Sequence, residues 1–143
     1  MRYLQTMFFV LLFALTLTPG LVNAADKPDD KALSIELNSL AQKGDSCRVR
    51  FVMRNGLGNP VEALKVEIVL FGKDGKIDGI LTLNAGSLPA GKTRVKQFRL
   101  KNCADVARIL INDVSECKGK DLSPKICLKS LKIENRTEIG FGL

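Results

Sequence analysis

Cysteine is the residue type in this chain best equipped for chemistry, and it occurs at Cys47, Cys103, Cys117 and Cys127. The four do not form the close C-x2-4-C pairs that usually hold structural zinc, and no C-x-x-C motif offers the dithiol of a redox enzyme. The chain contains no histidine, which excludes Ser-His-Asp and Cys-His catalysis and the usual general base at neutral pH. The sequence therefore predicts no catalytic residue, no metal site and no cofactor.

The four cysteines are better explained as structural disulfides. Their number is even, and an exported chain folds in an oxidising compartment, so we expect two cystines. Four cysteines allow three pairings. We favour Cys117 with Cys127, because the nine residues between them include a glycine and a proline and resemble a loop that needs closing. This choice leaves Cys47 to pair with Cys103.

The N-terminal residues predict export. Arg2 supplies a positive head, an apolar run follows over about residues 7–17, and Ala24 ends a small-residue cleavage site. This is the layout of a secretory signal peptide. The apolar run falls short of the roughly 20 residues that a transmembrane helix requires. We therefore predict a cleaved signal peptide over residues 1–24, with an uncleaved anchor as the alternative.

The remainder of the chain has the size of one domain. Removal of 24 of the 143 residues leaves 119, which suits a single hydrophobic core. The polar stretch DKPDDK after the cut predicts a disordered lead-in over residues 25–32. We expect a domain over residues 33–143 that is soluble in the periplasm or after secretion. The residues leave the export route and the oligomeric state open.

Basic residues outnumber acidic ones. The chain has 22 Lys and Arg against 15 Asp and Glu, a net charge of +7, and loss of Arg2 with the signal peptide leaves +6. Outside the cytoplasm, such a basic protein is expected to bind an anionic envelope component or an envelope protein. We do not expect nucleic acid as a partner. The partner itself is unknown.

Two groups of basic residues could form a contact surface. Three arginines alternate with apolar residues along one predicted strand, and several lysines crowd the predicted cystine loop. The members of this possible surface are Arg48, Arg50, Arg54, Lys118, Lys120 and Lys125. A further basic stretch lies at residues 94–101. The alternative is that these side chains only solvate exposed sheet faces and discourage edge pairing.

The apolar periodicity predicts an all-β fold. Period-2 alternation, separated by turn signals every 8 to 12 residues, is typical of strands in a sandwich. A hairpin turn is expected at residues 72–76, a loop at residues 84–93, and a bulge near Lys96 and Gln97. Seven strands are predicted, at about residues 33–40, 47–55, 63–71, 80–83, 94–100, 108–112 and 127–136. Together with two disulfides they predict an immunoglobulin-like two-sheet β-sandwich.

Four stretches of the chain carry a resemblance to a known family: GDSCRVRFVMRN, VEIVLFGKDGKI, LPAGKTRVKQFRL, and the tail from RILINDVSEC to CLKSLKIENRTEIGFGL. They resemble exported alphaproteobacterial proteins that often carry the label Tat pathway signal sequence domain protein. The likeness covers about residues 33–143 and implies no activity or catalytic residue. The chain departs from that label because its N-terminus has no twin arginine. More loosely, the chain resembles the FxLYD-type sandwiches of bacterial envelope proteins.

These observations favour a non-enzymatic interaction or accessory module of the cell envelope. One alternative is a thiol-redox or other enzyme that uses its cysteines, which would require a free thiol. A second alternative is an inhibitor or small-ligand carrier, which would require a hollow between the two sheets. The content of free thiols and the presence of a hollow therefore distinguish the three hypotheses.

Overall fold

The computed structural model describes residues 31–143, so the predicted signal peptide and most of the predicted lead-in lie outside the described residues. The described chain forms eight strands and one short helix in two four-stranded sheets. Sheet A has the order β5-β2-β1-β7, and sheet B has the order β4-β3-β6-β8. The elements are β1 Leu33–Lys43, β2 Ser46–Asn55, β3 Val61–Gly72, β4 Ile77–Leu88, β5 Thr93–Leu100, β6 Val106–Lys118, α1 Pro124–Lys129, β7 Leu131–Asn135 and β8 Gly140–Gly142.

This arrangement confirms the all-β, two-sheet sandwich with two disulfides. Within residues 31–143, no helix has the length and apolar character needed to cross a bilayer. Consecutive strands pair antiparallel in the β1–β2 and β3–β4 hairpins, whereas β7 joins β1 and β8 joins β6 in parallel. The chain therefore ends by adding one short strand to each sheet.

The core lies between the sheets and follows the alternation seen in the sequence. In β2, Cys47, Val49, Phe51 and Met53 are all at most 1% exposed, while the residues between them are half-buried on the outer face. Burial of each of the side chains of Val49, Phe51 and Met53 contributes roughly 1.5–3 kcal/mol. The ring of Phe51 lies 5.9 Å from the ring of Phe141 in sheet B, so aromatic packing joins the two layers.

Strand β4 is longer than the sequence predicts. Residues 84–88, predicted as part of a loop, continue the strand, and its inward side chains Ala85 and Leu88 are fully buried. Gly86 adopts a positive φ of 67°, and its N–H binds the side-chain oxygen of Asn84. The asparagine and glycine that resemble a loop thus form an irregularity inside a strand.

The predicted bulge near Lys96 and Gln97 is wrong. Strand β5 pairs with β2 in unbroken register from Leu100 to Thr93. Val95 lies opposite Val52 on the outer face of sheet A and is 65% exposed. A bulge would be needed only if every apolar residue of this strand faced the core, but an edge strand can leave a valine exposed to water.

The predicted last strand over residues 127–136 is partly wrong, because its first residues belong to helix α1. The hydroxyl of Ser123 accepts a hydrogen bond from the N–H of Ile126 at 3.3 Å, and Pro124 occupies the first turn. Serine before proline is a typical start of a helix, and this signal was present in the sequence. Strand β7 begins only at Leu131.

The cysteines pair in the favoured way. Cys47 is bonded to Cys103 and Cys117 to Cys127, and no cysteine is free. The first cystine ties the start of β2 to the connection between β5 and β6, where the chain passes from sheet A to sheet B. The second holds α1 against the end of β6.

Asn55 is the only buried polar side chain in the described part of the chain, and it is fully buried. Its amide nitrogen donates to the carbonyl oxygens of Asn59 at 2.9 Å and Leu88 at 2.8 Å. Its amide oxygen accepts from the N–H of Leu57 at 2.9 Å. These bonds connect the end of β2 in sheet A with the approach to β3 and the end of β4 in sheet B.

The main chain around Asn55 extends the same network. The N–H of Asn55 donates to Lys92 and its carbonyl accepts from Gly91, in the loop between β4 and β5. The next residue, Gly56, donates to the carbonyl of Ala32 at 2.8 Å. Ala32 is 3% exposed, so the packed domain includes this residue, one position before the predicted boundary at Leu33.

Replacement of Asn55 by alanine is expected to lower the free energy of unfolding by about 2–4 kcal/mol, because it leaves several buried polar groups without a partner. Chemical denaturation measures this change. Asn112→Ala, which removes an exposed amide bound to Glu67, serves as the control and should cost about 0.5 kcal/mol or less. Equal losses in the two variants would contradict the role of Asn55.

The two cystines are expected to stabilise the fold unequally. Their sequence separations are 56 and 10 residues, and restriction of the unfolded chain increases with the length of the closed loop. Replacing Cys47 and Cys103 by alanine should cost about 4 kcal/mol, and replacing Cys117 and Cys127 about 3 kcal/mol. Denaturant unfolding of the two double variants tests the order, and a greater loss from the shorter loop would contradict it.

Candidate functional site

The three arginines predicted on β2 lie on the outer face of sheet A. Arg48, Arg50 and Arg54 alternate with core residues and are each half-buried. Across the β2–β5 ladder, Arg48 stands opposite Arg99, and Arg50 stands opposite Gln97. Arg48, Arg50 and Arg99 therefore form a compact cationic group, which we call the arginine face.

Nothing in the described part of the chain neutralises the arginine face. Arg48 and Arg99 make no ion pair with residues 31–143, and Arg50 makes only a long contact of 3.4 Å from its guanidinium to the hydroxyl of Ser39. Like charges directly opposite one another on paired strands are destabilising. The fold thus places two arginines directly opposite one another, at a cost that a bound anion would relieve.

The other half of the same sheet face is electrically balanced. Arg136 approaches Glu36 at 3.1 Å and Glu134 at 3.7 Å. The amide of Asn38 donates to Glu36 at 2.8 Å and, together with Arg136, holds the pKa of Glu36 below its usual value. Charge compensation is therefore local, and the arginine face stands apart from it.

The basic stretch at residues 94–101 does not share one face. In β5, Arg94 and Lys96 stand opposite the core residues Met53 and Phe51, so they lie on the inner side at the edge of the sandwich. Arg99 has the opposite parity and lies on the outer face. Alternation along a regular strand separates these cations between two surfaces.

The lysines of the cystine loop are far from Arg48. Lys118 ends β6 beside Ala63 in sheet B, and Lys120 and Lys125 are exposed beyond it. A Cβ at Gly119 would collide with the carbonyl oxygen of Pro60, so this loop packs against the connection that follows β2. The cystine loop thus lies near the end of β2 at Asn55. Six residues of β2 lie between Asn55 and Arg48, so Arg48 is about 20 Å away from the loop. The six predicted basic residues are thus not one surface.

Lys118 is also neutralised. The carboxylate of Glu116 binds the amino group of Lys118 at 2.6 Å and that of Lys65 at 2.9 Å. Hydrogen bonds from the two lysines, Lys118 first, lower the pKa of Glu116 to about 2. Glu116 in turn raises the pKa of Lys118. This triad stabilises the junction of β3 and β6 and leaves Lys118 poorly suited to bind another anion.

A cleft that the sequence did not reveal opens between the edges of β4 and β5. Its volume is about 270 Å³, near the lower end of small-molecule sites at about 300 Å³. The apolar floor comes from the inner faces of both sheets, and charged side chains form the rim. Leu70, Leu81, Leu100 and Val106 form the floor, and Asp78, Arg99 and Lys101 form the rim.

Comparison with known proteins establishes similarity in fold alone. No protein-family model and no curated protein sequence matches the chain. The solved structure of IrmA from Escherichia coli is similar, with a TM-score of 0.52 and 14% sequence identity, over 73% of this chain and 91% of that chain. At this level of identity the likeness concerns the arrangement of the strands and carries no site residue.

The Glu116 triad predicts a specific response to acid. The folded-state pKa of Glu116 is about 2, below the ordinary value of 4.5. A carboxylate with a depressed pKa stabilises the fold above the ordinary pKa, and this contribution is lost as the pH falls through the depressed one. NMR titration of the Glu116 carboxyl should therefore give a midpoint near 2.

A variant provides the second measurement. Glu116→Gln should unfold at a lower temperature than the wild type at pH 6, and the difference should shrink as the pH approaches 2. Glu62→Gln, which removes the same charge from a residue without an ion pair in residues 31–143, is the control. A midpoint near 4.5 for Glu116 would contradict the triad.

Proposed function

We propose that this protein is an exported, non-enzymatic binding module that docks an anionic component of the bacterial envelope through the arginine face. The observation that carries the proposal is the direct opposition of Arg48 and Arg99 on paired strands, with no acidic partner in the described part of the chain. An anion between them would replace a repulsive contact with two charge-assisted hydrogen bonds.

The chemistry of arginine suits this role. A guanidinium group is planar, stays charged at any relevant pH and presents paired donors that match the oxygens of phosphate and carboxylate. The alternation of β2 places Arg48 and Arg50 on the same side of a strand whose other side is fully buried. Because the backbone beneath these side chains is held by the core, little ordering of the chain would accompany binding.

Export is supported by the cystines. All four cysteines are paired, which suits an oxidising compartment, and the N-terminal sequence has the layout of a signal peptide. A thiol-redox enzyme would need a reactive and accessible sulfur. Cys47, Cys117 and Cys127 are at most 3% exposed, and both cystines join structural elements. These facts favour the binding module over the enzyme.

A charge reversal on the arginine face tests the proposal. Phospholipid vesicles that contain phosphatidylglycerol are the anionic probe, and vesicles of phosphatidylcholine alone are the neutral one. Each basic side chain near an anionic surface contributes about 1 kcal/mol, so Arg48→Glu with Arg50→Glu should weaken retention on the anionic vesicles by about thirtyfold or more. Wild-type retention should also fall as salt is added.

The cystine loop provides a matched control. Lys120→Glu with Lys125→Glu changes the net charge by the same amount on exposed residues at the other end of the molecule. Retention of this variant should remain close to that of the wild type. An equal loss in both variants would mean that only the net charge matters, and salt-independent retention of the wild type would refute an electrostatic site.

A further inference from the structure

Among residues 31–143, strand β4 ends sheet B as an open edge without the residues that usually protect such an edge. It is a terminal strand of sheet B and contains 12 residues, IDGILTLNAGSL, with Asp78 as its single charge and with no lysine, arginine or proline. Edge strands commonly carry such residues, or are short, because an open row of backbone groups invites pairing with another chain. The backbone groups on the open side of β4 are therefore available to pair with another strand.

The other three edges of the two sheets are protected. Strand β5 carries Arg94, Lys96 and Arg99, strand β7 has five residues, and strand β8 has three. In β4, by contrast, Ile77 is 60% exposed and Ile80 is 58% exposed. Long apolar edges are sites of strand addition, and among the edge strands of residues 31–143 only β4 is both long and free of lysine, arginine and proline.

The middle of β4 is regular enough to act as a template. Residues 79–84 pair with residues 65–70 of β3 without a shift of register, and the irregularities lie on either side of this stretch. Six regular residues extend over about 20 Å. A strand of matching length could therefore form a continuous ladder on the open side of β4.

The cleft lies directly beside this template. Gly79 stands opposite Leu70 on the inner side of β4, and a Cβ at Gly79 would meet no atom within 4 Å. Leu81, the next inward residue, is 37% exposed although its partner Ile68 is buried. The side chains of a strand added to β4 would alternate between the outer face and this cleft, so one apolar side chain of that strand would reach the apolar floor.

The facing edge supplies positive charge. Lys96 does not line the cleft: it extends from the inner side of β5 towards β4 beyond residues 79–84, with its amino group 3.8 Å from the position of a Cβ at Gly86. Lys101 and Arg99 form the rim of the cleft, and Asp78 is the single acidic residue there. An inserted strand would therefore gain from acidic side chains on either side of the residue that fills the cleft.

We propose that the edge of β4 accepts an extended segment of a partner protein as a fifth strand of sheet B. The segment places one apolar side chain in the cleft and acidic side chains two residues before and after it. Main-chain hydrogen bonds to β4 supply affinity and the cleft supplies selectivity, which is the general mode of β-strand addition. This surface shares Arg99 with the arginine face but includes neither Arg48 nor Arg50.

A defined peptide tests the proposal. The probe is the blocked peptide Thr-Glu-Val-Leu-Val-Glu-Thr, in which leucine and both glutamates share one side when the chain is extended. Titrated into isotope-labelled protein, it should shift the amide signals of residues 78–84 and slow their hydrogen exchange. Signals that move at Arg48 and Arg50 instead, or no movement at β4 with saturating peptide, would overturn the proposal.

A substitution that fills the cleft tests directly whether the peptide leucine binds there. Gly79→Leu is tolerated by the fold because its Cβ meets open space and its φ is not positive, and its side chain would occupy the space that the peptide leucine needs. Binding should weaken at least about tenfold. Gly142→Leu, the same change at another open strand glycine on the opposite edge of sheet B, should leave binding unchanged. Equal affinity of the two variants would refute the cleft.

Reversing the charge of the cleft rim and of the peptide provides an independent test. Lys101→Glu, which reverses a charge on the rim of the cleft, should weaken binding of the glutamate peptide and strengthen binding of the matched peptide in which lysine replaces both glutamates. Equal effects on the two peptides would overturn the charge argument. Arg48→Glu with Arg50→Glu should bind the glutamate peptide like the wild type, so failure of the arginine face and failure of the β4 edge are observed separately.

Discussion

The hydrogen bonds of Asn55 are the constraint on which the sandwich most depends. A buried amide in an apolar core is costly unless each of its groups finds a partner, and here each does. The bonds to Leu88 and to the main chain before β3 hold the end of β2 against sheet B. At the other end of β2, the bond from Cys47 to Cys103 holds the chain where it crosses between the sheets. The strand that carries the arginine face is therefore anchored at both ends.

This anchoring explains why two distinct surfaces coexist. With β2 held firmly, the alternation of its side chains presents Arg48 and Arg50 outwards while Val49 and Phe51 fill the core. The sandwich is closed by aromatic contact on the side of β8 but parts between β4 and β5, where Gly79 contributes no side chain. The arginine face results from like charges on paired strands, and the cleft beside β4 results from incomplete packing between the edges of the two sheets.

Two local predictions from the sequence are wrong because contacts with residues distant in the chain decide the structure there. The pattern of β5 predicts a bulge because Val95 is out of phase with Phe98, yet the strand pairs with β2 in regular register and leaves Val95 exposed opposite Val52 on the outer face. Residues 84–88 resembled a loop by composition, but pairing with β3 and burial of Leu88 keep them in the strand. The start of α1 is different, because Ser123 followed by Pro124 is a local helix-start signal that the strand prediction over residues 127–136 does not take into account.

By itself the sequence determined the fold class and the alternation that turns β2 arginines outward, and it favoured one of three possible cysteine pairings. These depend on side-chain period and on chain connectivity, both of which are local properties. Only the tertiary structure decided which strands became edges, that Arg99 stands against Arg48, and that Glu116 neutralises Lys118. The cleft beside β4 likewise arises from the separation of two sheet edges. Such features depend on residues distant in the chain, because register and sheet order are set by packing of the whole core rather than by any single segment.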